Sequence, residues 1–295
     1  MLLTVKQMRV TYGKQTVLDI DRSIGFEEGE CIGIIGANGA GKTTFVKALL
    51  GLVSYEGSIY TNLAPNQMAA HMQFNEYVTT MPVKHIMETI LDTEIRNNER
   101  LKELIAFFDF EKCLSKRYSV LSGGQKQRFT IIMVMMQDAP LTFYDEVTSG
   151  LDFETRQRLM EKLVKWYENR KNTLVLVSHY YEELEQLADR ILLLDSGKVI
   201  AFGKKEELFL KFCGDVVYVC DNNDKNQKIV EGFKRLKAPE HLIALSCRGM
   251  EEEKKLLSIL TEKNINYKRS NSDIEIMSIN AKASYEESQK GKGDL

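Results

Sequence analysis

The residues best suited to chemistry in this 295-residue chain lie in three short stretches. Residues 36–44 read GANGAGKTT and match G-x-x-x-x-G-K-[ST], with the β-rich ECIGII before them and the helix-like TTFVKALLGL after them. Gly36, Gly39 and Gly41 let backbone N–H groups curl around phosphate oxygens, and Ala37, Asn38, Ala40 and Thr44 complete the loop. The Lys42 ammonium can neutralise terminal phosphates, and the Thr43 hydroxyl can bind Mg²⁺. In the second stretch, LTFYDE at 141–146, an apolar strand runs into two carboxylates. Asp145 stands at the strand's C-terminal end, where ligands of parallel sheets gather, and would hold the metal through water. Glu146 beside it is the candidate general base for a water in line with the γ-phosphate. The third, SVLSGGQKQRFTII at 119–132, has Ser122 and Gln125 at capping-box spacing. It should open a helix whose free N–H groups, around Ser122, Gly123, Gly124 and Gln125, attract an anion.

These groups need a scaffold that delivers loops to one edge. LTFY, TLVLVS and RILLLD are short apolar runs between helical stretches and read as strands buried on both faces. Leu101, Leu104, Ile105 and Phe108 mark one helix, and Leu159, Leu163 and Trp166 another. Such alternation predicts a largely parallel α/β sheet. Residues 2–34 alternate β-rich pieces with turns. After residue 214 the pattern restarts with VVYVC, a helix containing Ile229, Phe233 and Leu236, then HLIALSC, the helix EEEKKLLSILTEKN and DIEIM. That predicts a small α/β appendage over 215–285 and a flexible tail over 286–295, which has nothing to bury. FTIIMVMM, methionine-rich after the glycine motif, reads as core packing.

Composition narrows the classes. Lys and Arg total 40 against 42 for Asp and Glu, a net charge of -2, so no dominant nucleic-acid surface is indicated and no nucleic-acid partner is expected. Cys31, Cys113, Cys213, Cys220 and Cys247 form no CxxC pair and read as reduced, buried thiols of a cytoplasmic protein. The start lacks a signal-peptide pattern, and no apolar run approaches the roughly 18 residues of a membrane helix. Any membrane-spanning part is therefore expected in another chain.

The phosphate loop, LSGGQKQR at 121–128, LTFYDE at 141–146, SGLD at 149–152 and VSHYYEELEQLADRILLLDSGKV at 177–199 occur in the order and spacing of the ATP-binding cassette (ABC) family, and the chain resembles it over about residues 2–210. The resemblance implies an ABC-type P-loop NTPase fold over 1–214: a parallel-rich sheet core, an antiparallel β subdomain and a helical subdomain at about 74–138. It implies ATP and Mg²⁺ as cofactors, with Tyr12 stacking on adenine, His179 contacting the γ-phosphate and Asp152 carrying contacts across a dimer. Tyr12 also fits as a strand tyrosine packing its ring, and Asp152 as an N-cap. The glutamine that joins the metal and water to the membrane partner is read as Gln73, with Gln67 the competitor and Glu76 the choice if the loop is shifted. Residues 74–95 would contact the permease, although a core-facing helix explains their apolar residues too. Where the family usually has proline, Val147 stands.

The family places LSGGQ of one subunit over the ATP held by another, so this chain is expected to work as a homodimer or heterodimer at the cytoplasmic face of a membrane. DEVTSGLD, SHYYEELEQLADRI and the short C-terminal piece resemble the ATP-binding subunits of bacterial drug, antibiotic and peptide exporters. A soluble ABC ATPase acting on a non-transport partner is the alternative. Its usual tandem cassettes or long coiled-coil insert are not in this sequence.

Overall fold

The computed structural model describes residues 1–72, 77–168 and 171–293, with side chains to residue 290. Strands β1 (Leu3–Tyr12), β2 (Gln15–Ile20), β3 (Ile24–Phe26) and, later, β5 (Glu56–Thr61) form an antiparallel sheet around β1. Buried positions on β1 run Leu3, Val5, Met8 and Val10. The skip from two-residue to three-residue spacing coincides with a register shift between Val5 and Gln7, a bulge that returns the apolar face inward.

The central sheet contains β4 (Cys31–Ile35), β6 (Met68–His71), β7 (Leu141–Asp145), β8 (Thr173–Val177), β9 (Arg190–Asp195) and β10 (Lys198–Lys204) in the order β10-β9-β4-β8-β7-β6. All neighbours are parallel except β10, which returns antiparallel to β9. Every residue of β4, β7 and β8 is buried, as expected for strands covered on both faces. Parallel order brings the C-terminal ends of β4, β7 and β8 to one edge, where α1 (Lys42–Leu49), α5 (Phe153–Tyr167) and α6 (Tyr181–Leu187) begin. The helical region holds α2 (Val83–Ile90), α3 (Glu99–Phe107) and α4 (Gly123–Met135). On α4, Phe129, Ile131, Ile132, Met133, Val134 and Met135 are all buried, so the methionine-rich run is core.

The chain ends in a third sheet. Helix α7 (Lys205–Cys213) leads to β11 (Val216–Asp221), α8 (Asp224–Ile229), β12 (Arg235–Leu236), β13 (Leu242–Cys247), α9 (Met250–Glu262), β14 (Tyr267–Ser270) and α10 (Ile274–Gly293). The antiparallel sheet has the order β12-β13-β11-β14. Strand β11 alternates strictly: Val216, Tyr218 and Cys220 pack with Leu256 and Leu260 of α9, while Val217 and Val219 join the core that contains α4 and α5. All five cysteines are free and buried.

One expectation for this region needs correction. The helix drawn through Ile229, Phe233 and Leu236 ends at Ile229, and Leu236 lies in β12. DIEIM stands where a strand would close the pattern but starts α10, because Asp273 Oδ1 accepts the Ile276 N–H at 3.0 Å as a cap. Ile274, Met277 and Ala281 then bury one helical face. Residues 286–293 continue that helix with the side chains of 286–290 all exposed, and Glu287 pairs with Lys237 at 3.6 Å.

Candidate functional site

Residues 36–41 join the buried end of β4 to α1. Two of the glycines are sterically required. Gly36 has φ +155°, and a Cβ there would sit 2.2 Å from the Leu194 carbonyl oxygen. Gly41, the N-cap of α1 at φ +98°, leaves 2.5 Å between such a Cβ and Leu18 Cδ2. Lys42 is buried, and its Nζ donates to the carbonyl oxygens of Gly36 at 2.8 Å and Ala37 at 3.2 Å. Burial lowers its pKa, with the Glu146 and Asp145 carboxylates opposing.

The loop faces a cavity of about 520 Å³ lined by Val17, Asn38, Gly39, Gly41, Lys42, Thr43, Thr44, Glu146, Ser149 and His179. Below it Asp145 is fully buried, and neither carboxylate oxygen has a hydrogen bond. Burial raises its pKa; the nearby Thr43 hydroxyl opposes that without making a bond of good geometry. A buried, unmatched carboxylate is costly, and a divalent cation between it and the Thr43 hydroxyl would supply the missing charge. Among the described residues no three His, Cys, Asp or Glu side chains are grouped to hold a metal. A cation here would therefore lean on Thr43 and phosphate oxygens, as Mg²⁺ does.

Glu146 follows Asp145 in a left-handed backbone conformation, φ +53°, that is uncommon for a non-glycine residue. Its N–H still bonds the Val177 carbonyl at 2.9 Å, so the turn breaks immediately after the strand pair. Glu146 Oε1 lies 2.5 Å from His179 Nε2, a contact between the loops after β7 and β8. A carboxylate and an imidazole side by side can orient a water and meet a phosphate oxygen.

The other expected motif residues that are described lie outside this cavity. Tyr12 is exposed at the end of β1. Ser122 caps α4 in a complete capping box: its Oγ accepts the Gln125 N–H at 3.3 Å, and Gln125 Oε1 accepts the Ser122 N–H at 3.1 Å. Ser122 and Gly123 are exposed, while Arg128 ties the helix start to Phe108 O at 3.0 Å. Asp152, also exposed, caps α5 by accepting the Thr155 N–H at 3.0 Å and hydroxyl at 2.7 Å, which holds its pKa down. Gln73 and Glu76 lie outside the described residues. The competitor Gln67 spends its Oε1 on the Ala64 N–H at 2.9 Å. Val17 and Ser149 were missed as cavity residues; nothing marks a strand valine as such, whereas Ser149 opens the quoted SGLD.

The ABC transporter family model matches residues 21–149. The Nod factor export ATP-binding protein I of Ralstonia nicotianae is 31% identical over 235 residues, covering 74% of this chain and 72% of the relative. This chain belongs to the family of ABC transporter ATP-binding subunits. The methionine import ATP-binding protein MetN of Clostridium tetani is 30% identical and covers 76% of each chain, so the family is matched on both its export and import sides. The solved structure of an ATP-binding subunit of an ABC transporter superposes with a TM-score of 0.64 at 26% identity, covering 72% of this chain and 93% of that one. As a member of this family the ABC subunit binds ATP and hydrolyses it to ADP and phosphate. Among its described residues no helix is long and apolar enough to cross a membrane.

Proposed function

We propose that this ABC subunit powers a membrane exporter of a drug, antibiotic or peptide. The observation that carries the catalytic part is the edge formed by β4, β7 and β8: Lys42, the unmatched Asp145 carboxylate, and Glu146 against His179 around one cavity. Loop N–H groups and Lys42 hold the phosphates, and Lys42 leaves the Gly36 and Ala37 carbonyls to do so. Thr43 and Asp145, with Gln73, would hold Mg²⁺, which would supply positive charge to the phosphates. Glu146 draws the proton from the attacking water, and His179 meets the γ-phosphate and keeps Glu146 oriented. Tyr12 stacks on adenine.

One chain contributes one phosphate loop and one capped glycine helix, at separate places. Ser122, Gly123, Gly124 and Gln125, with Asp152, therefore complete the site of a second ATPase subunit, and ATP binding closes the dimer while hydrolysis loosens it. The permease contact lies at 74–95, where Val78, Met81 and Ile90 are exposed while Val83, Ile86 and Met87 face the core. With its permease bound there, the ABC subunit would work at the cytoplasmic face of the membrane. Residues 1–214 are the nucleotide-binding domain and 215–285 an accessory unit.

The relative named for Nod factor export and the wording of DEVTSGLD and SHYYEELEQLADRI support the exporter direction. The relative named for methionine import supports the reverse direction. Glu146→Gln should keep ATP binding and lower kcat by at least about 100-fold, and Lys42→Ala should weaken both. Steady-state hydrolysis with nucleotide binding checks this, and unchanged turnover in Glu146→Gln removes Glu146 as the base. Cargo flux in inside-out vesicles containing the ABC subunit and its permease separates export from import.

A further inference from the structure

Strands β7 and β8 remain paired as far as Asp145 opposite Val177, and then hand the chain to two loops. One carries Glu146 and Thr148 towards α5; the other carries Ser178 and His179 towards α6. Glu183, in the first turn of α6, lies between them. Its Oε1 accepts the Thr148 hydroxyl at 2.6 Å, and its Oε2 accepts the Ser178 hydroxyl at 2.6 Å. All three side chains are buried: Thr148 is 1% exposed, Ser178 4% and Glu183 4%. Ser178 Oγ also accepts the Tyr180 N–H at 2.9 Å, so the backbone is fixed on both sides of His179.

Placing a carboxylate here is expensive. Burial raises the Glu183 pKa, while the two hydroxyls and the Arg156 guanidinium oppose it. Arg156 is itself held by its stack on Tyr180, 3.8 Å from the ring centroid. An apolar side chain would fill the same space without that penalty. What it would not do is give two acceptor oxygens to two loops that have just left their shared ladder.

We propose that Glu183 is a positioning residue for hydrolysis: it ties the loop bearing Glu146 to the loop bearing His179 and so sets the base against the phosphate-contacting histidine. This rests on the roles of Glu146 and His179 proposed above. Thr148 and Ser178 act with it as the two hydroxyl anchors. The clamp leaves the phosphate loop untouched, so it governs the chemical step and leaves ATP capture alone.

The test is steady-state ATP hydrolysis with Mg²⁺ by the full chain, at a temperature where circular dichroism shows every variant folded. Thr148→Val, Ser178→Ala and Glu183→Gln should each lower kcat about 10- to 100-fold, the scale of a small misplacement of reacting groups, with KM for ATP within about twofold. Thr148→Ser keeps the hydroxyl and should return kcat close to the parent value. Glu146→Gln runs alongside. If it turns over normally, both the base assignment and the clamp are overturned. If it is inactive while Thr148→Val and Ser178→Ala keep the parent kcat, the clamp alone is overturned, as it also is when the loss lies only in KM or melting temperature.

Discussion

Asp145 shows what a single residue in this site costs and what it prepares. Its carboxyl is buried without a hydrogen bond and held above its ordinary pKa by that burial. The fold therefore binds the Asp145 proton more tightly than the unfolded chain does. The associated stabilisation is full below the ordinary carboxylate range and is lost as pH rises through the raised value. Above that raised value the ionised group works against folding, and a bound cation would reverse that. Asp145→Asn should accordingly stabilise the nucleotide-free protein at pH 7 by on the order of 1 kcal/mol while lowering Mg²⁺-dependent turnover by at least about 100-fold. Thermal melting without nucleotide, paired with an ATPase assay, checks both; a lower melting temperature for the variant would contradict this account of the site. Lys42, Thr43, Asp145 and Glu146 were legible in the sequence because each stands beside a strand or loop whose pattern is local. Glu183 was not, since its two partners lie 35 and five residues away and nothing in EELEQ announces them.

Helix α4 carries two demands at once, and its start was readable for the same local reason. Ser122, Gln125 and the following apolar run fix where the helix begins, and the capping box is complete in the structure. The same N-terminus stays exposed, held by Arg128 against the end of α3. Ser122→Arg should leave ATP binding by the monomer within about twofold and lower turnover by at least about 10-fold, because the lost cap costs only about 1 kcal/mol whereas the bulk would block the proposed dimer closure. Nucleotide affinity measured beside ATPase activity decides; parent-like turnover would mean that this end of α4 meets no phosphate. Helix α10 was the less legible element. DIEIM alternates like a strand over five residues, and only Asp273 as a cap and the apolar spacing out to Ala281 reveal a helix, a pattern that needs a longer window to see.

At the scale of the molecule, the parallel sheet and its common edge follow from the alternation of apolar runs and helices, whereas the strand order and the join between the C-terminal sheet and the rest do not. Period two on VVYVC fixes two buried faces but cannot say that one of them packs into the core of α4 and α5. Removing residues 215–295 should therefore expose that core and lower the melting temperature by several degrees, about what a loss of 1–2 kcal/mol produces in a domain of this size. Calorimetry of the full and shortened chains would show it, and an unchanged transition would mean that the two parts are energetically separate. The seat of α10 carries this further. Its first N–H, at Ile274, bonds Glu185 on α6 at 3.0 Å, one turn beyond the loop that carries His179. Linkage is reciprocal: a molecule that grips α10 more tightly in one nucleotide state must shift nucleotide affinity by the same factor. With such a molecule bound, α10 would be a handle on ATP as much as a reporter of it.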